Sequence, residues 1–159
     1  MINGDLIRLL NQYQSNPYNL WPGYKVEHYL QIKNNQIVND SSVEKVFSYS
    51  NGGKLICYFH IKELAWDSTF FGFKCGHLKH FYLDETLSFD DVQTLTLKIE
   101  TELRRYFVSE KYKFISTDIN AESKNVKIVL NKLGFRFVVS WLDGFRISTN
   151  SNSDKVGEV

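Results

Sequence analysis

The stretch Leu64–Tyr82, LAWDSTFFGFKCGHLKHFY, decides the fold. It opens as an aromatic turn and continues as a strand against which the neighbouring segments pair. Asp67 and Ser68 are short polar residues that bond to nearby backbone amides and so favour a turn or a first helical turn over extended chain. Trp66, Phe70 and Phe71 surround them, and rings of this kind bury ~150–250 Å² each. Two readings follow. The rings form a plug against the sheet, which is the expectation, or they line the wall of a ligand pocket. Gly72 supplies the positive φ needed before the chain extends into Phe73–Tyr82.

Upstream, Val43–Ser50 and Lys54–Leu64 read as two strands joined at Asn51-Gly52-Gly53, a tight antiparallel hairpin. Leu55, Cys57, Phe59 and Ile61 mark an apolar face, and the opposite face, with Ile56, Tyr58 and His60, is mixed. Further upstream, Asp5 precedes a helix carrying Leu6, Leu9, Leu10 and Tyr13, ended by Asn16-Pro17. Tyr18–Tyr24 reads as an aromatic loop, Tyr24–Lys33 as a second helix, and Asn34–Ser42 as a polar linker. Downstream, Ser88 with Asp91 gives a variant capping box for a helix of about twenty residues, on which Val92, Leu95, Ile99, Leu103, Tyr106 and Phe107 recur at three and four. Lys111–Thr117 is a strand and Ala121–Leu133 a helix, with Gly134 as its C-terminal cap. Phe135–Trp141 and Phe145–Ser148 read as a second hairpin. The fold class is therefore α+β, layered: a mixed, mostly antiparallel central sheet with helices on both faces.

The chain has 159 residues, 43% hydrophobic and 15% aromatic, with a net charge of +1. One domain over residues 1–148 is expected, with Thr149–Val159 as a disordered polar tail. Near-neutrality argues against a general nucleic-acid binder, which carries a basic surplus to displace phosphate counterions. The N-terminus has no apolar run of signal-peptide or membrane-spanning length, so no membrane association and a cytoplasmic location are expected. Cys57 and Cys75 read as buried reduced thiols. His77 and His80, three apart in a strand, fall on opposite faces by simple alternation and make poor co-ligands, so no metal site is expected.

The element order, Leu133-Gly134-Phe135 within Ile119–Trp141, and the turn LAWDSTFFG together resemble the GNAT superfamily of acyl-CoA-dependent N-acyltransferases. The turn is similar to one in the N-terminal half of two-domain members such as TDP-fucosamine acetyltransferase, and the resemblance spans roughly Val43–Ile147. In the superfamily a glycine-rich loop before the long helix holds the cofactor pyrophosphate on free backbone amides. Here Leu83–Asp91 has no glycine and four carboxylates, Asp84, Glu85, Asp90 and Asp91, which are expected to fill and repel that anion site. The superfamily tyrosine that protonates the leaving thiolate falls at Leu130. The asparagine that holds the cofactor corresponds to Ser123 or, under a shifted match, Asn120 or Asn125.

The resemblance thus implies a half-enzyme that binds no cofactor alone and works beside an acyl-CoA-carrying partner, or associates with itself through Phe135–Ser148. In two-domain relatives a second domain follows where this chain ends. One alternative is a complete divergent acetyl-CoA-dependent N-acetyltransferase acting on an amino sugar or another small amine, with His60, Glu63 or Asp118 as base. Another is a non-enzymatic binding module using Tyr18–Tyr24. Trp66, Asp67, Phe70 and Phe71 are the candidates for the structural turn or substrate wall.

Overall fold

The computed structural model describes residues 4–12, 25–119 and 123–136. Within them the elements run α1 (Gly4–Gln12), α2 (Val26–Ser41), β1 (Lys45–Asn51), β2 (Lys54–Glu63), α3 (Ala65–Phe71), β3 (Lys74–Leu83), α4 (Phe89–Ser109), β4 (Tyr112–Thr117) and α5 (Lys124–Lys132). The strands form one sheet in the order β1-β2-β3-β4, antiparallel except for the parallel β3/β4 pair. This is the mixed sheet expected from sequence. The strands anticipated at Phe135–Trp141 and Phe145–Ser148, the aromatic loop Tyr18–Tyr24 and the tail lie outside the described residues, apart from Phe135 and Arg136, which are in neither helix nor strand.

One face of the sheet carries the main core. Phe47, Cys57, Phe59, Ile61, Leu78, Phe81 and Leu83 pack there against Val92, Leu95, Ile99 and Leu103 of α4 and Val126, Val129 and Leu130 of α5. Phe59 anchors it, stacked on Phe47 and edge-on to Phe81, with ring centroids 5.0 Å away in both cases. Leu6, Leu9 and Leu10 of α1 and Ile37 of α2 form a second cluster on the other face with Leu55. α5 ends as its sequence predicts: Gly134 has φ 87°, its N–H donates to Asn131 O, and Phe135 N–H donates to Leu130 O, the paired bonds of a Schellman motif.

Strict alternation fails at two places in the antiparallel pairs. The β1/β2 register shifts between Tyr49 and Ser50, because Tyr49 faces Cys57 and Ser50 faces Leu55. The bulge exchanges the faces of β2, sending Leu55 to the α1 cluster and Ile56 to the main core. The β2/β3 register shifts where Tyr58 faces Tyr82 and His60 faces Lys79, so β3 carries one extra residue. His80, at φ 54°, sits in that bulge. The extra residue cancels the alternation between His77 and His80, and both point toward the face covered by α2 and α3. The expectation of opposite faces is corrected accordingly.

Two further expectations are corrected. Asn34–Ser42 is no linker, since α2 runs through it: Asn34 and Ile37 are buried one turn apart, and burial outweighs the poor intrinsic propensity of the Asn- and Asp-rich run. The aromatic turn is no plug. It is the short helix α3, which contributes no buried residue, and Trp66, Phe70 and Phe71 are 73%, 69% and 54% exposed. The cause is that α3 is fastened by polar bonds. Cys75 N–H donates to Ser68 Oγ at 2.8 Å, Leu64 N–H donates to Cys75 O at 2.9 Å, and Gly72, left-handed at φ 72°, closes the helix onto Ser68 O. With its serine turned to the sheet, the helix turns its rings to solvent.

Phe71→Ala is accordingly expected to cost less than about 1 kcal/mol, the range of surface changes. Phe59→Ala is expected to cost about 3–5 kcal/mol. Urea denaturation of the two variants checks the ranking, and equal large losses would return the aromatic helix to the core.

Candidate functional site

β3 and β4 pair from Lys74↔Tyr112 to Leu78↔Thr117, and β3 then continues to Leu83 beyond the end of β4. The carboxyl end of β3 leads through Asp84–Ser88 into α4, the place where a parallel-strand fold offers a helix N-terminus to an anionic ligand.

Here that loop is closed upon the protein. Asp84 is 1% exposed, and its carboxylate accepts from Arg8 Nη1 at 2.7 Å, Lys54 Nζ at 3.0 Å, Gln12 Nε2 at 3.1 Å and the Thr86 hydroxyl at 2.6 Å. Burial alone would raise this carboxyl, but the bonds from Thr86, Arg8 and Lys54 outweigh it and hold the group well below the usual carboxylate range. The backbone amides are committed as well. Asp84 N–H donates to Ile56 O, Glu85 N–H to Gln12 Oε1, Thr86 N–H to Asp84 Oδ1 and Leu87 N–H to Asp84 O. At the helix itself Ser88 Oγ accepts from Asp91 N–H and donates to Asp91 Oδ2 at 2.6 Å. Glu85 turns away to cap α5, accepting from Asn125 N–H at 2.9 Å.

The expectation of four carboxylates crowding the anion site is therefore corrected in part. Asp84 and Glu85 are drawn inward by Arg8, Lys54 and the α5 N-terminus, and Asp90 and Asp91 alone remain in the first turn of α4. The amides of Asp84, Glu85, Thr86, Leu87 and Asp91 already have partners within the protein.

A second polar assembly lies where the β3 bulge meets α2. His60 is fully buried, with Nδ1 3.1 Å from Glu44 Oε2 and Nε2 2.7 Å from the Tyr58 hydroxyl. A carboxylate can only accept, so Nδ1 carries the proton and Nε2 accepts from Tyr58. Lys79 Nζ bridges Asp40 at 2.7 Å and Glu44 at 3.2 Å, and His80 Nε2 donates to Asp40 Oδ2 at 2.7 Å. Burial pushes both histidines below their ordinary value, more than Glu44 and Asp40 push them back. Asp40 is held at about 2: burial raises it, and the bonds from His80 and Lys79 more than reverse that. Nearby in α2, Asn34 is 1% exposed and neither polar atom of its side chain has a hydrogen-bond partner.

The sequence candidates are scattered by the fold. His60 joins this assembly. Glu63 ends β2 and pairs with Lys74 at 3.5 Å, while Asp118 is solvent-exposed and 3.5 Å from His77 Nε2, whose Nδ1 contacts the Ser116 hydroxyl at 2.9 Å. Ser123 is the buried N-cap residue of α5, and Asn125 donates from Nδ2 to Asp84 O and so serves the closed loop. Asn120 lies outside the described residues. Leu130 is a core residue. Asp67 belongs to the exposed aromatic helix. Sequence reading missed Asp40, Glu44, Tyr58, Lys79 and His80 as a group, because only the bulge and the continuation of α2 bring them together. Among the described residues no cluster of metal-ligating side chains occurs, and no helix is long and apolar enough to cross a membrane.

No protein-family model matches the chain, and no curated protein does. Solved structures do. The ribosomal-protein-alanine N-acetyltransferase of Brucella melitensis superposes with a TM-score of 0.55 at 11% identity, covering 89% of this chain and 92% of that one. The fold is that of the GNAT acetyltransferases. A Clostridium acetobutylicum protein described as a predicted acetyltransferase and solved with acetyl-CoA matches at TM-score 0.50 and 16% identity, over 88% of this chain and 87% of its own. A Bacillus halodurans protein described as a transcriptional regulator matches at TM-score 0.56 and 10% identity, over 91% and 95%. At such identities the GNAT fold is shared and the activity is a separate question.

Two outcomes are expected from the site's electrostatics. Asp84→Ala strands Arg8 and Lys54 around an emptied pocket and should cost about 3–5 kcal/mol, measured by denaturant unfolding. The depressed histidines bind fewer protons folded than unfolded, so their contribution is complete above pH ~6.5 and declines as pH falls through that value. Asp40 adds a second loss between about pH 4 and 2. Melting temperature should therefore fall from pH 7.5 to 5.5, and His80→Gln should flatten that slope.

Proposed function

We propose that this chain is an N-acetyltransferase-like domain that binds no acyl-CoA by itself and serves as the substrate-side or scaffold half beside a partner that carries the cofactor, as in two-domain sugar N-acyltransferases. The observation that carries this reading is the closed loop. In Asp84–Leu87 every amide donates within the protein, and Ser88 Oγ caps the α4 terminus by accepting from Asp91 N–H while donating to Asp91 Oδ2. A polyphosphate docking there would have to displace those bonds and face Asp90 and Asp91, with no added cation to compensate. The fold supports placing the domain among acetyltransferases, and an amino sugar is the acceptor class suggested by the resemblance of LAWDSTFFG.

A second reading rests on the Glu44–His60–Tyr58 chain. A buried carboxylate fixes the imidazole tautomer, the imidazole accepts from a half-buried phenol, and a proton arriving at Tyr58 has a path to His60 Nε2. In a complete N-acetyltransferase this chain would receive the proton of an amine acceptor.

Titration calorimetry separates the two. Acetyl-CoA is expected to give no saturable heat with the purified chain at concentrations up to about 1 mM, an affinity too weak to matter for a cofactor. Micromolar binding that disappears with dephospho-CoA or pantetheine would overturn the first reading. Loss of acetyl transfer in Tyr58→Phe with binding retained would then establish the second.

A further inference from the structure

Helix α3 is amphipathic in the wrong sense for a free surface. Trp66 and Phe70 are stacked 5.3 Å apart at 11°, Phe71 and Phe73 are stacked 5.8 Å apart at 20°, and Phe70 meets Phe71 edge-on at 5.0 Å and 89°. All four rings are exposed, Phe73 least at 43%. Phe114, paired with Cys75 beneath α3, is exposed too and carries the apolar surface onto β4. Rings of ~150–250 Å² exposed to this degree present roughly 450 Å², well within the sizes at which a patch marks an interaction site.

We infer that this aromatic face is an interface between two copies of the chain. Three features favour a second copy over other occupants. A two-fold interface requires a surface complementary to itself. The two perpendicular stacks meet that requirement: Trp66 and Phe70 of one copy, set against Phe71 and Phe73 of the other, give the edge-to-face contacts that aromatic quadrupoles favour. The size also fits. A stable interface covers ~800 Å² per partner, of which ~57% is apolar, or about 450 Å². Finally, a chain of net charge +1 meets its copy with little repulsion. A small ligand would cover one stack and leave the other in water.

The inference is independent of whether acyl-CoA binds. Sedimentation velocity of the full chain from 1 to 100 µM tests it. The wild type is expected to show a reversible monomer–dimer equilibrium in this range. Phe70→Glu, and independently Trp66→Lys, should each weaken it at least tenfold with far-UV circular dichroism and melting temperature of the diluted monomer unchanged. Leu97→Glu, at an exposed apolar site on α4 across the sheet, should leave it intact. A wild type that stays monomeric to 100 µM overturns the inference, as does a dimer that survives both α3 substitutions or is lost equally in Leu97→Glu.

Discussion

The structure depends on one buried carboxylate. Asp84 ends β3, and its oxygens gather Arg8 and Gln12 from α1, Lys54 from the start of β2 and Thr86 from its own loop. Its backbone carbonyl extends the same knot, accepting from both Leu87 N–H and Asn125 Nδ2 of α5. An isolated charge at this depth is prohibitive, so the position is tolerable only when all partners are in place. Helix α1, the hairpin, the loop and α5 are thus fixed relative to one another by the needs of a single side chain. The same closure that secures the sheet's end commits the backbone amides of residues 84–87 within the protein.

Where α2 meets the sheet, register and charge act together. The β3 bulge places Lys79 and His80 side by side toward α2, whose last turn brings Asp40 and whose exit brings Glu44. Each carboxylate is shared by two bases, and His60 is enclosed between Glu44 and Tyr58. Such a network specifies one arrangement of α2 on the sheet, since any slide of the helix would separate at least one charged pair in a poorly solvated layer.

Much of the fold was legible in the sequence because it follows from period and punctuation. The hairpin at Asn51-Gly52-Gly53, the long helix opened by Ser88 and the Schellman ending at Gly134 are local signals with local physics. The failures share a different cause. Nothing local distinguishes a helix that buries Asn34 and Ile37 from a polar linker, and nothing in LAWDSTFFG reveals that Ser68, not a phenyl ring, faces the sheet. The carboxylates of Leu83–Asp91 were visible, but their directions were not, because Arg8 and Lys54 lie far away in sequence. The His60 assembly was half legible for the same reason: the histidine was evident and its partners were set by a bulge.

That bulge makes the length of β3 as informative as its composition. With one residue more than its partner between the Tyr58↔Tyr82 and His60↔Lys79 pairs, the strand delivers Leu78, Phe81 and Leu83 to the same core. Deleting either Lys79 or His80 would not merely remove a charge. It would restore plain alternation along the strand with Phe81 and Leu83 still on the core side and Tyr82 still opposite, leaving one base where the polar layer now holds two. The supernumerary residue thus doubles the bases presented to α2 at one point of the strand while leaving the core side chains on either side of it in step.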